Sequence, residues 1–377
     1  MKRSSKKKVA IVLSGGGARG AYQAGVMQAI SEILESENAK ISVLTGASAG
    51  AISASFLASH WENPRLAAQK LGELWSGIHA ENVYKTDAFS IGKIGLKWVL
   101  DTTLGSFHKK KMARSLLNTD PLRKLIGENI SLEKISSNLE QGHLESLSVT
   151  AMDYASATSV SFVQAAKAVP MWDRFRRRGE QTQITVDHVL GSSAIPLFFP
   201  PVQIGSRFFG DGCVRNTAPV SSAIHLGAEK VIVVSVRRPD SLAPPIAKDY
   251  EPTIARVLGV IMNALLLDAI DLDMERLERI NHTLENIESS KLESMNLRKI
   301  EYFWIRPSLD IGLLASGQFE RMPPVIRYLL GGLGSSRESS EITSYLLFEP
   351  EFCKKLVATG YQDTIGRSAE LKAFLNS

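Results

Sequence analysis

Two apolar runs in the first fifty residues each stop abruptly at glycine. Val9-Ala10-Ile11-Val12-Leu13 gives way to Ser14 and then to Gly15-Gly16-Gly17-Ala18-Arg19-Gly20. The run Ile41 to Thr45 gives way to Gly46-Ala47-Ser48-Ala49-Gly50. Short β-branched runs bounded by glycine suit strands buried on both faces. Helical patterning follows each turn: Val26, Ala29, Ile30, Ile33 and Leu34 recur at helical spacing within Ala21 to Leu34, and Ala49 to Ala58 continues from the second turn. Strand, tight turn and helix, twice over, restrict the chain to an α/β layout with a mostly parallel sheet covered on both sides.

The same two turns carry chemistry. Gly46 to Gly50 is a G-x-S-x-G elbow, the sharp strand-to-helix turn that holds a serine hydroxyl clear of its neighbours. The Gly15 to Gly20 segment offers a row of backbone N–H groups at a helix start, where a developing negative charge can be held. A reactive hydroxyl and an anion cradle together point to acyl transfer. A competitor exists, because Gly15, Gly17 and Gly20 also match the dinucleotide fingerprint G-x-G-x-x-G. That reading wants a carboxylate at the end of the second strand, where this chain has Thr45-Gly46-Ala47-Ser48, and it leaves Ser48 without a role.

Further along, Asp120-Pro121 reads as a helix start with Asp at the N-cap and Pro at the first helical position. Leu147 to Ala151, Val160 to Val163 and Val231 to Val236 read as strands, and Ile300 to Ile305 as a late one. The segment Ala80 to Lys111 reads as a packing insertion or as a cover over an apolar pocket. From Thr253 a long helix is expected, with Val257, Leu258, Ile261, Met262, Leu265, Ala269 and Leu272 on one stripe. That stripe suits a core helix or a homodimer face better than a lipid anchor. The domain reading is a basic tail at 1–8, a catalytic α/β domain at 9–239, a Pro-containing linker at 240–252 and a mainly helical C-terminal region at 253–377 packed on the core.

Among 377 residues there are only 2 cysteines, Cys213 and Cys353, so a disulfide framework is not expected and a reducing compartment fits. No Cys/His spacing resembles a zinc site. The basic start is followed by too short an apolar run for a signal peptide. Leu258 to Leu267 is too short to span a bilayer. The expectation is a cytoplasmic protein, soluble or peripheral at a membrane. The net charge of +5 concentrates at Lys6 to Lys8, Lys109 to Lys111 and Arg174 to Arg178. These clusters are either a solvated face or a contact for an anionic membrane surface. No RNP, zinc-finger or basic-zipper pattern accompanies them, so no nucleic-acid partner is expected.

A serine needs a base within reach. Val202 to Phe209 reads as a hairpin turning at Gly205-Ser206, and its second strand ends in Gly210-Asp211-Gly212. An aspartate between glycines at a strand end can approach another backbone closely, though D-G pairs are also common in ordinary turns. The set Gly15-Gly16-Gly17-Ala18-Arg19-Gly20, Gly46-Ala47-Ser48-Ala49-Gly50, Ser192 to Pro201 and Asp211-Gly212, in this order, resembles the patatin-like phospholipases over about Val9 to Ser235. Asn216 and Pro219 also follow Asp211 much as that family's Asn and Pro do. Cys213 departs from the family, which usually has Gly or Ala there.

The resemblance implies a patatin-like three-layer α/β/α fold with a mostly parallel central sheet, plus a largely helical C-terminal region. It implies a serine lipid acyl hydrolase, a phospholipase A or esterase, acting on phospholipid or another acyl lipid. It implies Ser48 as nucleophile, Asp211 as base and the Gly15, Gly16 and Gly17 amides as oxyanion hole, with no metal and no organic cofactor. Three alternatives stay open: a Ser-Asp-His triad using His225 or His282, a non-catalytic lipid-binding or regulatory module, and a nucleotide-binding enzyme. His225 also has a simpler reading as a helix-end residue before Leu226-Gly227. Arg19 is taken as substrate-binding, facing a lipid phosphate, with a tie between loop and carboxylate as its other role.

Overall fold

Residues 9, 11 and 13 of the first strand bury their side chains in one apolar core, and residues 10 and 12 bury theirs in another. Successive side chains of a strand point to opposite faces, so two cores on one strand require cover on both sides. Val231 and Val233 against Ile232 and Val234 repeat this division. The structure is a computed structural model, and it describes residues 7–86, 115–239, 251–287 and 297–377. The Lys109–Lys111 cluster, residues 87–111 of the expected cover and residues 240–250 of the expected linker lie outside the described residues.

The strands are β1 (Val9–Leu13), β2 (Val43–Ala47), β3 (Ser146–Asp153), β4 (Thr158–Ala165), β5 (Asp173–Arg174), β6 (Arg177–Gln181), β7 (Val202–Ile204), β8 (Arg207–Asp211), β9 (Lys230–Val234) and β10 (Glu301–Ile305). They form one mixed sheet in the order β10-β9-β1-β2-β3-β4-β6-β5, with the β7–β8 hairpin attached to β3. From β10 to β3 every neighbouring pair is parallel. The parallel block puts the carboxyl ends of β1 and β2, and therefore both glycine turns, at one end of the sheet. In open α/β sheets that is where ligands bind.

The helices that follow are α1 (Ala21–Glu37), α2 (Ala49–Ser59) and α3 (Pro64–Ser76). β2 runs two residues later than the apolar run suggested. Gly46 and Ala47 have poor strand propensity, but they pair with Val149 and Thr150 of β3, which carries the strand straight into the elbow. β3 and β4 also run longer than expected, because their polar residues are buried on the second face. There Thr150, Ser161 and Ser222 are linked hydroxyl to hydroxyl at 3.2 and 3.0 Å. Thr119 takes the N-cap position of the helix at Asp120–Asn129, without a side-chain capping bond, so Asp120 and Pro121 lie inside its first turn.

The long helix expected from Thr253 breaks at Leu267 into Ile254–Leu266 and Asp268–Glu285. Its stripe is not one buried seam: Met262 and Leu266 are buried, while Val257, Ile261 and Leu272 stay exposed. Two of the contacts that tie the C-terminal region to the preceding residues involve the sheet and α1. β10 extends the sheet beside β9, and the Pro350–Ile365 helix crosses α1 at Gly25 and Gly360. A Cβ on Gly25 would stand 1.8 Å from the Val357 carbonyl oxygen, and one on Gly360 2.1 Å from that of Tyr22. Among the described residues no helix is long and apolar enough to cross a membrane.

Candidate active site

Ser48 stands between β2 and α2 at φ 55° and ψ −127°. A serine held there costs about 1–3 kcal/mol, so its surroundings must enforce it. Crowded glycines do part of this: a Cβ on Gly46 would lie 2.1 Å from the Gly50 carbonyl oxygen, and one on Gly50 2.2 Å from that of Leu13. Two serines do the rest. The Ser48 N–H donates to Ser192 Oγ at 3.0 Å, and Ser192 Oγ donates to the Thr150 carbonyl at 2.5 Å. Ser193 Oγ reaches the Ser48 carbonyl oxygen at 3.1 Å.

Sheet register delivers Asp211. β4 occupies one edge of β3 along its whole length. On the other edge β2 pairs as far as Thr150, and β8 takes over antiparallel at Ala151, opposite Asp211. The end of β8 therefore meets the end of β2 head on. Ser48 Oγ donates to Asp211 Oδ2 at 2.6 Å, and the Cys213 N–H donates to Oδ1 at 2.9 Å. Asp211 is fully buried. Burial pushes its pKa up to about 6, against the pull of the Ser48 hydroxyl and the Cys213 amide.

The glycine loop lies against this pair. A Cβ on Gly15 would be 2.3 Å from Cys213 Sγ and 2.8 Å from Ser48 Cβ. Cys213 is thus accommodated because Gly15 leaves room for its sulfur. Gly16 and Gly17 have φ of 150° and 58°, a backbone that glycine adopts freely. Ser48, Asp211 and Gly15 to Gly17 are brought together. Arg19 is not available to a substrate: it is 4% exposed, its Nη2 is paired with Glu341 at 2.5 Å and its Nε donates to Ser344 Oγ at 2.8 Å. Of its two expected roles, this placement favours the loop tie over contact with a substrate phosphate. A guanidinium desolvated in this way needs a carboxylate, and the C-terminal region supplies it.

Neither candidate histidine partners Asp211. His225 ends the Ser221–His225 helix and stacks on Trp172 at 4.7 Å. His282 is exposed, 3.7 Å from Glu285. β2 ends at Ala47 and runs into Ser48 with no carboxylate, so the dinucleotide pattern lacks its ribose partner.

Beside Ser48 and Gly17 lies an apolar pocket lined by Ile52, Trp75, Leu122, Phe199 and Phe348 among others. A strand-turn-helix carrying an elbow serine, an aspartate from a later D-G and an upstream glycine loop match the pattern of one family. The patatin-like phospholipase model matches residues 11–224, more than half of the 377 residues. The chain belongs to the patatin-like phospholipase family. Membership of this family of ester hydrolases implies action on acyl lipids.

No curated protein matches the sequence. Among solved structures, this patatin-like chain is similar to VipD from Legionella pneumophila, at 15% identity and a TM-score of 0.31, covering 91% of this chain and 67% of that one. It is similar to human GIVD cytosolic phospholipase A2, solved in complex with methyl gamma-linolenyl fluorophosphonate, at 11% identity and a TM-score of 0.45, covering 98% and 59%. It is also similar to the ExoU–SpcU complex of the type III secretion system of Pseudomonas aeruginosa, at 16% identity and a TM-score of 0.31, covering 89% and 66%. The chain thus spans about two thirds or less of the length of these solved chains.

Sequence reasoning left four site residues without a role. Ser192 and Ser193 lay in the stretch that carried the family resemblance, and as a buried serine pair beside glycine they offered a faint signal. Glu341 and Phe348 lie beyond the matched residues and offered none.

Proposed function

We propose that the chain is a serine lipid acyl hydrolase, a phospholipase A or esterase, working through a Ser48–Asp211 dyad. One observation carries this reading: the 2.6 Å contact of Ser48 Oγ with a buried carboxylate, at an apolar cavity suited to an acyl chain. Ser48 Oγ attacks the ester carbonyl carbon and its proton passes to Asp211 Oδ2. The carbonyl oxygen becomes an oxyanion received by the Gly15 to Gly17 amides, where one donor is worth about 3–4 kcal/mol. The intermediate collapses to an acyl-Ser48, and the leaving alcohol takes the proton from Asp211. Water then attacks the acyl group, Asp211 takes its proton, and the fatty acid leaves as Ser48 recovers the proton.

An ordinary aspartate, near 3.9, is a weak base for this work. The burial that lifts Asp211 toward 6 supports the assignment. A fluorophosphonate serine probe tests it. Labelling of the wild type, absent in Ser48→Ala and sharply reduced in Asp211→Ala, is the expected result. An unlabelled wild type, beside a labelled reference esterase, would favour the lipid-binding module instead.

A further inference from the structure

One end of the sheet carries a hairpin that nothing in the catalytic reading uses. β5 and β6 are joined through Phe175 and Arg176, so the tip reads Arg174-Phe175-Arg176-Arg177. Phe175 is 85% exposed, and Arg174 and Arg176 are exposed with it. Among the described residues no carboxylate pairs with Arg174 or Arg176, whereas Arg178 is matched by Glu180 at 2.9 Å. The Arg176 guanidinium lies 5.3 Å from the Phe175 ring centroid. An aromatic ring held out into water among unpaired arginines has no folding role, and exposed apolar groups with a basic rim mark contact sites.

Register fixes where this tip points. Along β3, Thr150 pairs with Ala47, Ala151 with Asp211, and Met152 with Ser159 of β4. Ser159 in turn pairs with Arg177 of β6. The tip therefore projects from the same end of the sheet as Ser48 and Asp211, three strand spacings to the side, or about 14 Å. Leu197, 65% exposed, follows Ile195 and precedes Phe199, both of which line the acyl cavity. A flat surface meeting Phe175 thus faces the end of the sheet where the cavity lies.

We propose that the Arg174–Arg177 hairpin tip is an interfacial docking site for an anionic lipid surface, with Phe175 entering the headgroup region and Arg174 and Arg176 facing lipid phosphates. The site rests on the lipid-hydrolase reading for its orientation, and its chemistry is its own. Arginine near an anionic surface and a ring at the headgroup level both favour binding. A nucleic-acid backbone would satisfy the arginines, but it leaves the projecting Phe175 without purpose.

The test uses the full chain carrying Ser48→Ala, which binds without turnover, and vesicles of phosphatidylcholine with or without phosphatidylglycerol. Flotation with the mixed vesicles, weakened by salt, is expected. Arg174→Gln with Arg176→Gln should lower the partition coefficient by about 25-fold, at roughly fivefold per arginine, and Phe175→Ala should lower it further in its own right. In the otherwise wild-type chain, these changes should slow hydrolysis of vesicle lipid and leave turnover of a soluble short-chain ester unchanged. That soluble assay reports the catalytic reading separately, so its failure and the failure of docking are told apart. Equal flotation of wild type and tip variants would overturn the proposal. So would binding to phosphatidylcholine alone with the same strength, or loss of binding to a DNA duplex without loss of binding to vesicles.

Discussion

The guanidinium of Arg19, one residue beyond the glycine loop's last small side chain, is closed by Glu341, a residue 322 positions away in the chain. Ser344 and Tyr345 of the same short helix complete the contact, Tyr345 with its ring 4.7 Å below the guanidinium and its carbonyl oxygen where a Gly17 Cβ would have to be. The Ser340–Leu346 helix lies outside the residues matched by the family model. The loop read as an oxyanion hole is thus braced by the C-terminal region.

Glu341→Ala should leave a buried guanidinium unpaired and destabilise the fold by about 3 kcal/mol, read by urea unfolding. Turnover of a short-chain ester should fall with it, since a small shift of catalytic groups can cost about 100-fold. Replacing both partners by Met should recover much of the stability but not the turnover, because apolar neighbours fill the space without fixing the loop. An unaltered kcat in folded Glu341→Ala would show that the brace is irrelevant to chemistry.

The pH dependence follows from Asp211. In the proposed dyad its carboxylate must be ionised to accept the Ser48 proton, so kcat/KM should rise with pH through about 6 and then level off. An acidic limb near the ordinary aspartate range would mean that burial does not tune the base.

Stability runs the other way. The folded pKa of Asp211 lies above the unfolded value of about 3.9, so the group favours the folded state at low pH. That contribution is lost as pH rises through about 6. Asp211→Asn should therefore be inactive yet more stable than wild type at neutral pH, by up to ~3 kcal/mol. The two curves should converge in acid; a difference independent of pH would point to packing.

Chain-length preference should respond to Ile52, which lines the cavity beside Ser48. Ile52→Phe narrows the acyl path, and kcat/KM for a long-chain ester should fall at least tenfold relative to a short-chain one. A uniform loss on both esters would place the acyl chain elsewhere.

His225→Ala should keep most esterase activity. It removes a stacked ring from Trp172, worth about 0.5–1.5 kcal/mol of stability, and touches neither dyad member. Loss of turnover in a protein that melts normally would restore the triad.

Much of the site was legible along the chain. The turns at Gly15 to Gly20 and Gly46 to Gly50 read directly because a strand that ends at close-packed glycine and restarts as a helix is a local event. Helix and strand ends were read less well. β2 extends through Gly46 and Ala47 against their propensity, and the Thr253 helix breaks at Leu267, since neighbours rather than local preference fix those boundaries.

What the sequence determined alone is the pair of strand-turn-helix units and the elbow serine, because backbone sterics over five or six residues are enough to specify them. The tertiary structure decided which carboxylate meets which partner. Asp211 reaches Ser48 only because β8 continues the edge of β3 where β2 stops, and Arg19 turns away from the site only because Glu341 waits behind it. Such pairings depend on strand register and on contacts hundreds of residues apart, and no local pattern encodes a distance of that kind.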